Sequence, residues 1–411
     1  MKLRSLLKTK DGKILIQNFL SLSSLQMATM LLPLVTLPYI LRIIGYEKYG
    51  LIALAASLIA YFQSIVDYSF RVTAVRDIAK HRNSPRKVNL IYSRVLTVKL
   101  LFLSVSVAVI ALIVCFYPPF YDEKELFLYT ALSLIGFSLF PEWFFQGMER
   151  MRYITLINVT TRVFFTAGVF LFIKEEGDYV LYPLLTSGGV FVAGIVGQVF
   201  LYKNFNVRYS FLPVKQIKKC IYKSSPIFVN QFMPNLYNNS TSFFLGVLAS
   251  AEVLGVYSAI IKIIDLCIVL LSMVSSAFFP LINRRKDAFT VYRDLMFVLA
   301  IAGIALLFSL NKFIFWYLDL DNYVANPVLI LTGLSILGFV AYDIYGLNYF
   351  IVNRQDKLVM KNTLICSVIG LLVAAPLIFL YGIIGAALTL LIGRFLMGGA
   401  LMYRYMRLKN A

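Results

Sequence analysis

Charge is scarce in this chain. Asp, Glu, Lys and Arg fill 14% of 411 positions, and a single histidine is present. Soluble globular domains carry about 25% charged residues, so a large water-facing enzyme is excluded. The four cysteines, Cys115, Cys220, Cys267 and Cys366, lie far apart with no CxxC or CxxxH spacing, which indicates neither a disulfide framework nor a metal site. No Walker, HExxH, GxSxG or dinucleotide-binding fingerprint stands in a suitable context, so ATP hydrolysis and soluble-type catalysis have no support. His81 sits among Arg76, Lys80, Arg82, Arg86 and Lys87 with no nucleophile or metal partner, and reads as a solvated residue of a loop that contacts anionic headgroups. The 39 basic residues outnumber the 20 acids, yet they fall in short clusters between apolar runs, a distribution that argues against nucleic acid as a partner.

What fills the chain is hydrocarbon: 60% of residues are hydrophobic, 15% are aromatic and the mean hydropathy is +0.79. The expected class is an all-α integral membrane protein. At roughly 20 apolar residues per crossing, about twelve spans fit. They lie near 14–44, 49–70, 95–117, 126–146, 153–173, 181–202, 224–249, 256–281, 292–311, 324–350, 362–380 and 383–402. The run after the basic head is too long for a signal peptide and lacks a small-residue cleavage site, so it reads as a retained first helix. Thirty Lys and Arg fall on the side of both termini and five on the other, which predicts cytoplasmic ends. The layout is therefore a cytoplasmic segment 1–13, a six-helix lobe 14–202, a cytoplasmic linker 203–223, a second six-helix lobe 224–402 and a tail 403–411.

The two lobes read as repeats. Gln26 and Gln231, Glu47 and Glu252, Gly50 and Gly255, Gly177 and Gly382, and Gly194 and Gly399 are each 205 positions apart, while LSLIGF from Leu132 matches LSILGF from Leu334 at a spacing of 202. Six spans per half give repeats of the same topology, hence a pseudo-two-fold axis along the membrane normal and a substrate path between lobes.

Ionisable groups at bilayer depth cost about 2.5–3.5 kcal/mol even on lenient scales, so each is a functional candidate. Arg162, Lys262, Asp265 and Arg394 fall mid-span; Asp67, Glu142 and Asp343 lie nearer the cytoplasmic face, and Lys99 is placed to snorkel out. A net-basic interior above a set of acids suits an anionic substrate entering from the cytoplasm. Arg162, Lys262 and Arg394 are the anion-contact candidates; Asp67, Glu142, Asp265 and Asp343 are candidates for coupling or gating. Lys262 and Asp265, three apart, share a helix face and can neutralise each other. Glu142 and Asp343 stand in corresponding parts of the two halves and serve either as proton-coupling sites or as partners of Arg150, Arg152 or Arg354. Asn235, Asn238 and Asn239 make the seventh span polar enough to contact a hydroxyl-rich ligand, and Pro33, Pro38, Pro226 and Pro234 mark bends in equivalent helices.

LLPLVTLPYILRIIGYEKYGLIALAASLIAYF (31–62), VDYSF and VRDIA (66–79), PEWFFQGMERMRYI (141–154) and YGIIGAAL (381–388) resemble the Wzx-type polysaccharide flippases of the multidrug/oligosaccharidyl-lipid/polysaccharide exporter superfamily. The resemblance covers nearly the whole chain. It implies a transporter, not an enzyme, in the bacterial inner membrane, which turns an undecaprenyl-pyrophosphate-linked oligosaccharide from the cytoplasmic to the periplasmic leaflet by alternating access. It implies no cofactor beyond H+ or Na+ coupling, and as partners the lipid-linked oligosaccharide, membrane lipids and polysaccharide polymerase or chain-length proteins. It carries no catalytic motif, so the site residues rest on the physical reading. The alternatives are a multidrug/cation antiporter of the same superfamily and a membrane-embedded glycan polymerase or ligase.

Overall fold

A computed structural model describes residues 10–320 and 322–410, and over these the chain is helical with no strand. The order is α1 (Lys10–Asp67), α2 (Phe70–His81), α3 (Pro85–Phe116), α4 (Pro118–Tyr121), α5 (Lys124–Leu139), α6 (Glu142–Gly147), α7 (Met151–Phe172), a 3-10 turn (Glu176–Val180) and α8 (Leu181–Phe205). The second half follows with α9 (Val214–Leu248), α10 (Ala251–Arg284), α11 (Ala288–Ser309), α12 (Asn311–Leu318), α13 (Asn322–Ala341), a π-helix (Tyr342–Ile351) and α14 (Asp356–Asn410).

Nine helical stretches among the described residues are long and apolar enough to cross a membrane. Two of them are double: α1 is divided at Gly45 (φ 72°) and α14 at Gly382 (φ 54°), left-handed positions that glycine adopts without a Cβ clash. Counting each twice and adding α9, whose polar run keeps it off the apolar set, recovers the twelve expected spans. The prolines expected to bend the first and seventh spans do not interrupt them: α1 passes through Pro33 and Pro38, and α9 through Pro226 and Pro234. In α1 the Thr36 hydroxyl donates to the Leu32 and Pro33 carbonyls.

The helices gather into two compact units, Met1–Thr36 with Leu58–Phe232, and Leu37–Ser57 with Met233–Ala411. These boundaries differ from the lobe limits at 202 and 224. The reason residues 37–57 belong to the second unit is a close crossing: a Cβ on Gly50 would lie 1.7 Å from the Ala251 carbonyl oxygen, and one on Gly255 would lie 2.1 Å from that of Tyr46. Tyr46 and Ala251, like Gly50 and Gly255, are 205 positions apart. Equivalent segments thus meet reciprocally, the contact that a local two-fold between repeats produces.

The repeat is written more firmly in the backbone than in the side chains. Glu149 (φ 58°) and Arg354 (φ 62°), 205 apart and unlike in chemistry, both hold left-handed turns. Arg150 N donates to Phe145 O at 2.8 Å and Gln355 N to Phe350 O at 2.8 Å; Glu149 N donates to Gln146 O at 3.0 Å and Arg354 N to Ile351 O at 2.9 Å. Each of these backbone bonds has its counterpart 205 residues on, in the six-to-one bonding that closes helix C-termini. Upstream, the LSLIGF and LSILGF glycines do the same job. Gly136 packs against the Val190–Phe191 backbone of α8 and Gly338 against the Arg394–Phe395 backbone of α14, each too close for a Cβ.

The spacing changes from 202 at these glycines to 205 at the turns, so three surplus residues lie between them in the second half. They fall where α13 passes into the π-helix, whose wider turns take in additional residues without breaking the chain's path. In the first half the same place is a break, with α5 ending at Leu139 and α6 beginning after Pro141.

Candidate functional site

The break at Pro141 organises the first unit. In a continuous helix the Phe137 carbonyl would accept from residue 141, but proline has no N–H to give. Lys99 Nζ supplies the missing donor at 2.9 Å and also holds Asp67 Oδ1 at 3.1 Å. The Leu139 carbonyl accepts from the Gln198 amide, whose oxygen accepts from Tyr92 OH at 2.5 Å. Lys99 is therefore buried, at 3% exposure, and does not snorkel to the cytoplasm. The proline-freed carbonyl and the Asp67 carboxylate outcompete water for its ammonium.

Asp67 ends α1, because Tyr68 and Ser69 both turn left-handed. They are held there by bonds from Tyr68 OH to Ile221 O and from Ser69 Oγ to Ser224 O, each 3.3 Å. This turn sets Arg71 beside Asp67 at 3.5 Å and within 3.6 Å of Glu142, whose other oxygen accepts from Gln146 Nε2 at 2.9 Å. Glu142 thus pairs with Arg71, not with the basic-turn residues Arg150 or Arg152 expected from their nearness in sequence. Its charge also acts on Arg162, whose Nε is buried with no hydrogen-bond partner. Asp67, Glu142, Arg71, Lys99 and Arg162 form one cluster, two carboxylates against three cations. Its free bonding capacity is cationic, which suits an anion.

In the second unit the candidates separate into two groups. Lys262, Asp265 and Arg394 lie near enough that both cations act on the Asp265 carboxylate, and Arg394 Nη1 donates to Ser335 Oγ at 2.8 Å. Lys262 is exposed, while Asp265 and Arg394 are half-buried. Asp343, by contrast, is buried at 3% exposure within the π-helix and is held by neutral groups. Ser275 Oγ donates to its Oδ1 at 3.0 Å, Tyr292 OH donates to its Oδ2, and Asn348 Nδ2 reaches Oδ2 at 3.3 Å, Ser275 Oγ at 2.9 Å and Tyr292 OH at 3.0 Å. Glu142 in an ion cluster and Asp343 among neutral donors therefore stand in unlike surroundings.

Of the seventh-span amides, Asn235 is exposed and Asn239 half-buried, and the side chain of Asn238 lies outside the described residues. Arg71, Ser275, Tyr292 and Asn348 escape sequence reading, since arginine near a span end and single polar residues in apolar helices look like ordinary solvation or packing. The one available signal was Pro141, which guarantees an unpaired carbonyl four residues earlier. No group of three His, Cys, Asp or Glu that could hold a metal ion occurs among the described residues.

A family model described as polysaccharide biosynthesis protein matches residues 15–286. The chain belongs to this family. Two relatives share its length: a protein of Escherichia coli (strain K12) named "Putative O-antigen transporter" is 25% identical over 91% of this chain and 92% of its own, and one of the same name from Shigella dysenteriae is 23% identical over 91% and 96%. Among solved structures, the lipid II flippase MurJ in an inward closed conformation aligns with a TM-score of 0.72 at 14% identity, covering 95% of this chain and 87% of that one. An inward-facing multidrug resistance transporter of the MATE family aligns at 0.64 and 14%, covering 95% and 98%. These two likenesses establish the all-helical membrane transporter fold of this family member.

Proposed function

We propose that the protein is a flippase that carries an undecaprenyl-pyrophosphate-linked oligosaccharide repeat unit from the cytoplasmic to the periplasmic leaflet of the bacterial inner membrane, by alternating access and with both termini cytoplasmic. The observation that carries this reading is the cation surplus of the first unit's charged cluster in a chain of the polysaccharide biosynthesis family. Arg71, half-exposed, and Arg162 both act on Glu142, and with Lys99 they bring more cationic donors than two carboxylates can occupy, so the cluster can receive a phosphate oxygen. Names and folds support the same direction: the relatives are named for O-antigen transport, and a neighbour in fold is a lipid II flippase. Lys262 and Arg394 are the matching anion contacts of the second unit, and Asn235, Asn238 and Asn239 the glycan contacts. A strain lacking the protein accumulates lipid-linked repeat units facing the cytoplasm and loses the surface polymer; unaltered surface glycan in that strain refutes the reading.

One observation favours a second reading, a cation-coupled multidrug antiporter. Asp343 is a buried carboxylate with neutral partners, and the fold is shared with multidrug transporters. In the flippase reading the same residue couples transport to H+ or Na+. Proteoliposomes distinguish the two: dye extrusion against a proton or sodium gradient, with no movement of lipid-linked glycan, selects the antiporter.

A further inference from the structure

A cavity of about 380 Å3 lies in the first unit between α2, α3 and the start of α9, and it shares no residue with the Asp67–Glu142–Arg162 cluster. Arg76, Arg94, Lys219 and Lys223 line it, with Asp77 as its single carboxylate. One carboxylate cannot neutralise four cations, and Asp77 makes only long ion pairs with two of them. Its oxygens lie 3.9 Å from Arg76 Nε and 3.9 Å from Lys223 Nζ, beyond hydrogen-bond length. Arg94 is the anchor: one arm, Nη2, donates to Gln216 Oε1 at 3.1 Å, while Nε is shut off from solvent and has no hydrogen-bond partner. A half-buried guanidinium lining a cavity together with three further cations is an arrangement that an oxyanion completes, because arginine presents its donors as a fork matched to phosphate.

The wall of this cavity formed by α9 continues back into a segment made for a membrane surface. Phe211, Val214 and Tyr222 are 92%, 65% and 85% exposed, and they alternate with Arg208, Lys215, Lys218 and Lys219. Exposed aromatic and apolar side chains mixed with lysines sit at headgroup level, where the rings enter the lipid and the ammonium groups meet phosphate.

We propose that this cavity binds the phosphate of an anionic phospholipid headgroup, gripped by Arg94 with Arg76, Lys219 and Lys223, and that the bound lipid fastens the start of α9 to α2 and α3. The proposal rests on the membrane setting and the cavity, and stands or falls apart from the flippase reading. Cys220 also lines the cavity and makes a built-in reporter. Burial pushes its thiol above the ordinary range and nearby Asp77 adds to this, while Arg94 and Lys223 pull the other way.

The test uses the full chain in neutral detergent with dioleoyl phosphatidylglycerol, dioleoyl phosphatidylcholine or undecaprenyl pyrophosphate added, read by native mass spectrometry. Phosphatidylglycerol is expected to be retained over phosphatidylcholine, with Arg94→Gln and Lys219→Gln each weakening retention about tenfold and the exposed Arg285→Gln leaving it unchanged. In the unsubstituted chain, phosphatidylglycerol should slow maleimide labelling of Cys220 several-fold relative to exposed Cys115, a readout independent of any variant's folding. Equal retention of the two phospholipids, or Cys220 labelling indifferent to phosphatidylglycerol, overturns the proposal. Undecaprenyl pyrophosphate displacing phosphatidylglycerol through the same residues would overturn the phospholipid as occupant and assign the cavity to the substrate's headgroup.

Discussion

Lys99 and Pro141 should be energetically coupled although they never touch. Lys99→Met removes two bonds at once, 3.1 Å to the Asp67 carboxylate and 2.9 Å to the Phe137 carbonyl. Breaking a buried ion pair costs about 3–5 kcal/mol. Here Arg71 stays within 3.5 Å of Asp67, so about 2 kcal/mol is the share to expect from the carboxylate. The orphaned carbonyl adds about 1–2 kcal/mol. The single variant should thus lose about 3–4 kcal/mol, which for a unit of this size lowers the melting temperature by about 6–16 °C.

Pro141→Ala changes the second of these quantities alone. It restores an N–H at position 141 that can close onto the Phe137 carbonyl, so Lys99→Met in that background should cost about 1–2 kcal/mol less than in the parent. Equilibrium unfolding in mixed micelles reads this through Trp143, which is buried in the first unit's aromatic core beside Tyr92, once Trp316 is replaced by Phe. A double-mutant cycle that is additive within about 0.5 kcal/mol would refute the idea that Lys99 is buried to serve the proline break.

Gly50→Ala and Gly255→Ala should each destabilise by at least about 1–3 kcal/mol, since the new methyl meets backbone that cannot rotate away. Gly399→Ala, where nothing lies within 4 Å, should be neutral or stabilising by up to about 1 kcal/mol; melting curves compare the three. Arg162→Ala is expected to abolish export of lipid-linked glycan at normal membrane abundance, and Arg394→Ala likewise, scored by surface polymer and by immunoblot; wild-type export demotes either to packing. Asp343→Asn should keep the Ser275 and Asn348 neighbourhood folded yet remove the dependence of transport on an imposed H+ or Na+ gradient, measured in proteoliposomes. Unchanged gradient dependence removes Asp343 from coupling.

The fold class was legible because it depends on quantities that a sequence states outright. Hydrocarbon content and run length determine the number of crossings. The repeat was visible in the glycines, since Gly50, Gly136, Gly255 and Gly338 stand at crossings where no other residue fits. The exact path of α1 was not legible: the crossing at Gly50 draws residues 37–57 away from the rest of that helix, and no periodicity announces which neighbour a segment will choose. For the candidate site, types of residue were readable and partners were not. Lys99 resembled any lysine near a helix start, and only the three-dimensional placement of Phe137 beside it explains why it is buried. Glu142 stood close in sequence to Arg150 and Arg152, whereas a turn 70 residues earlier delivers Arg71.

That difference in partners follows from how the two halves diverged. Both carry the same glycine crossing and the same closing turn, so the segment between them must span the same gap in each. The first half does so with fewer residues and a proline, which interrupts the helix, frees carbonyls and draws Lys99 and Gln198 inward as donors. Lys99 brings a charge to that point, and Asp67, Arg71, Glu142 and Arg162 gather around it with one cation in excess. The second half spans the gap with three more residues wound as a π-helix, which keeps its backbone bonded, so neutral side chains suffice and Asp343 is enclosed among Ser275, Tyr292 and Asn348. A duplicated frame thereby acquires a charged cluster with a cation surplus in one half and a shielded single carboxylate in the other. Exchanging the spacing tests this directly. Deleting three residues from 342–351 and placing proline at the new break should expose Asp343 to a cation requirement and unfold the second unit, unless a lysine is supplied at the matching position of α11.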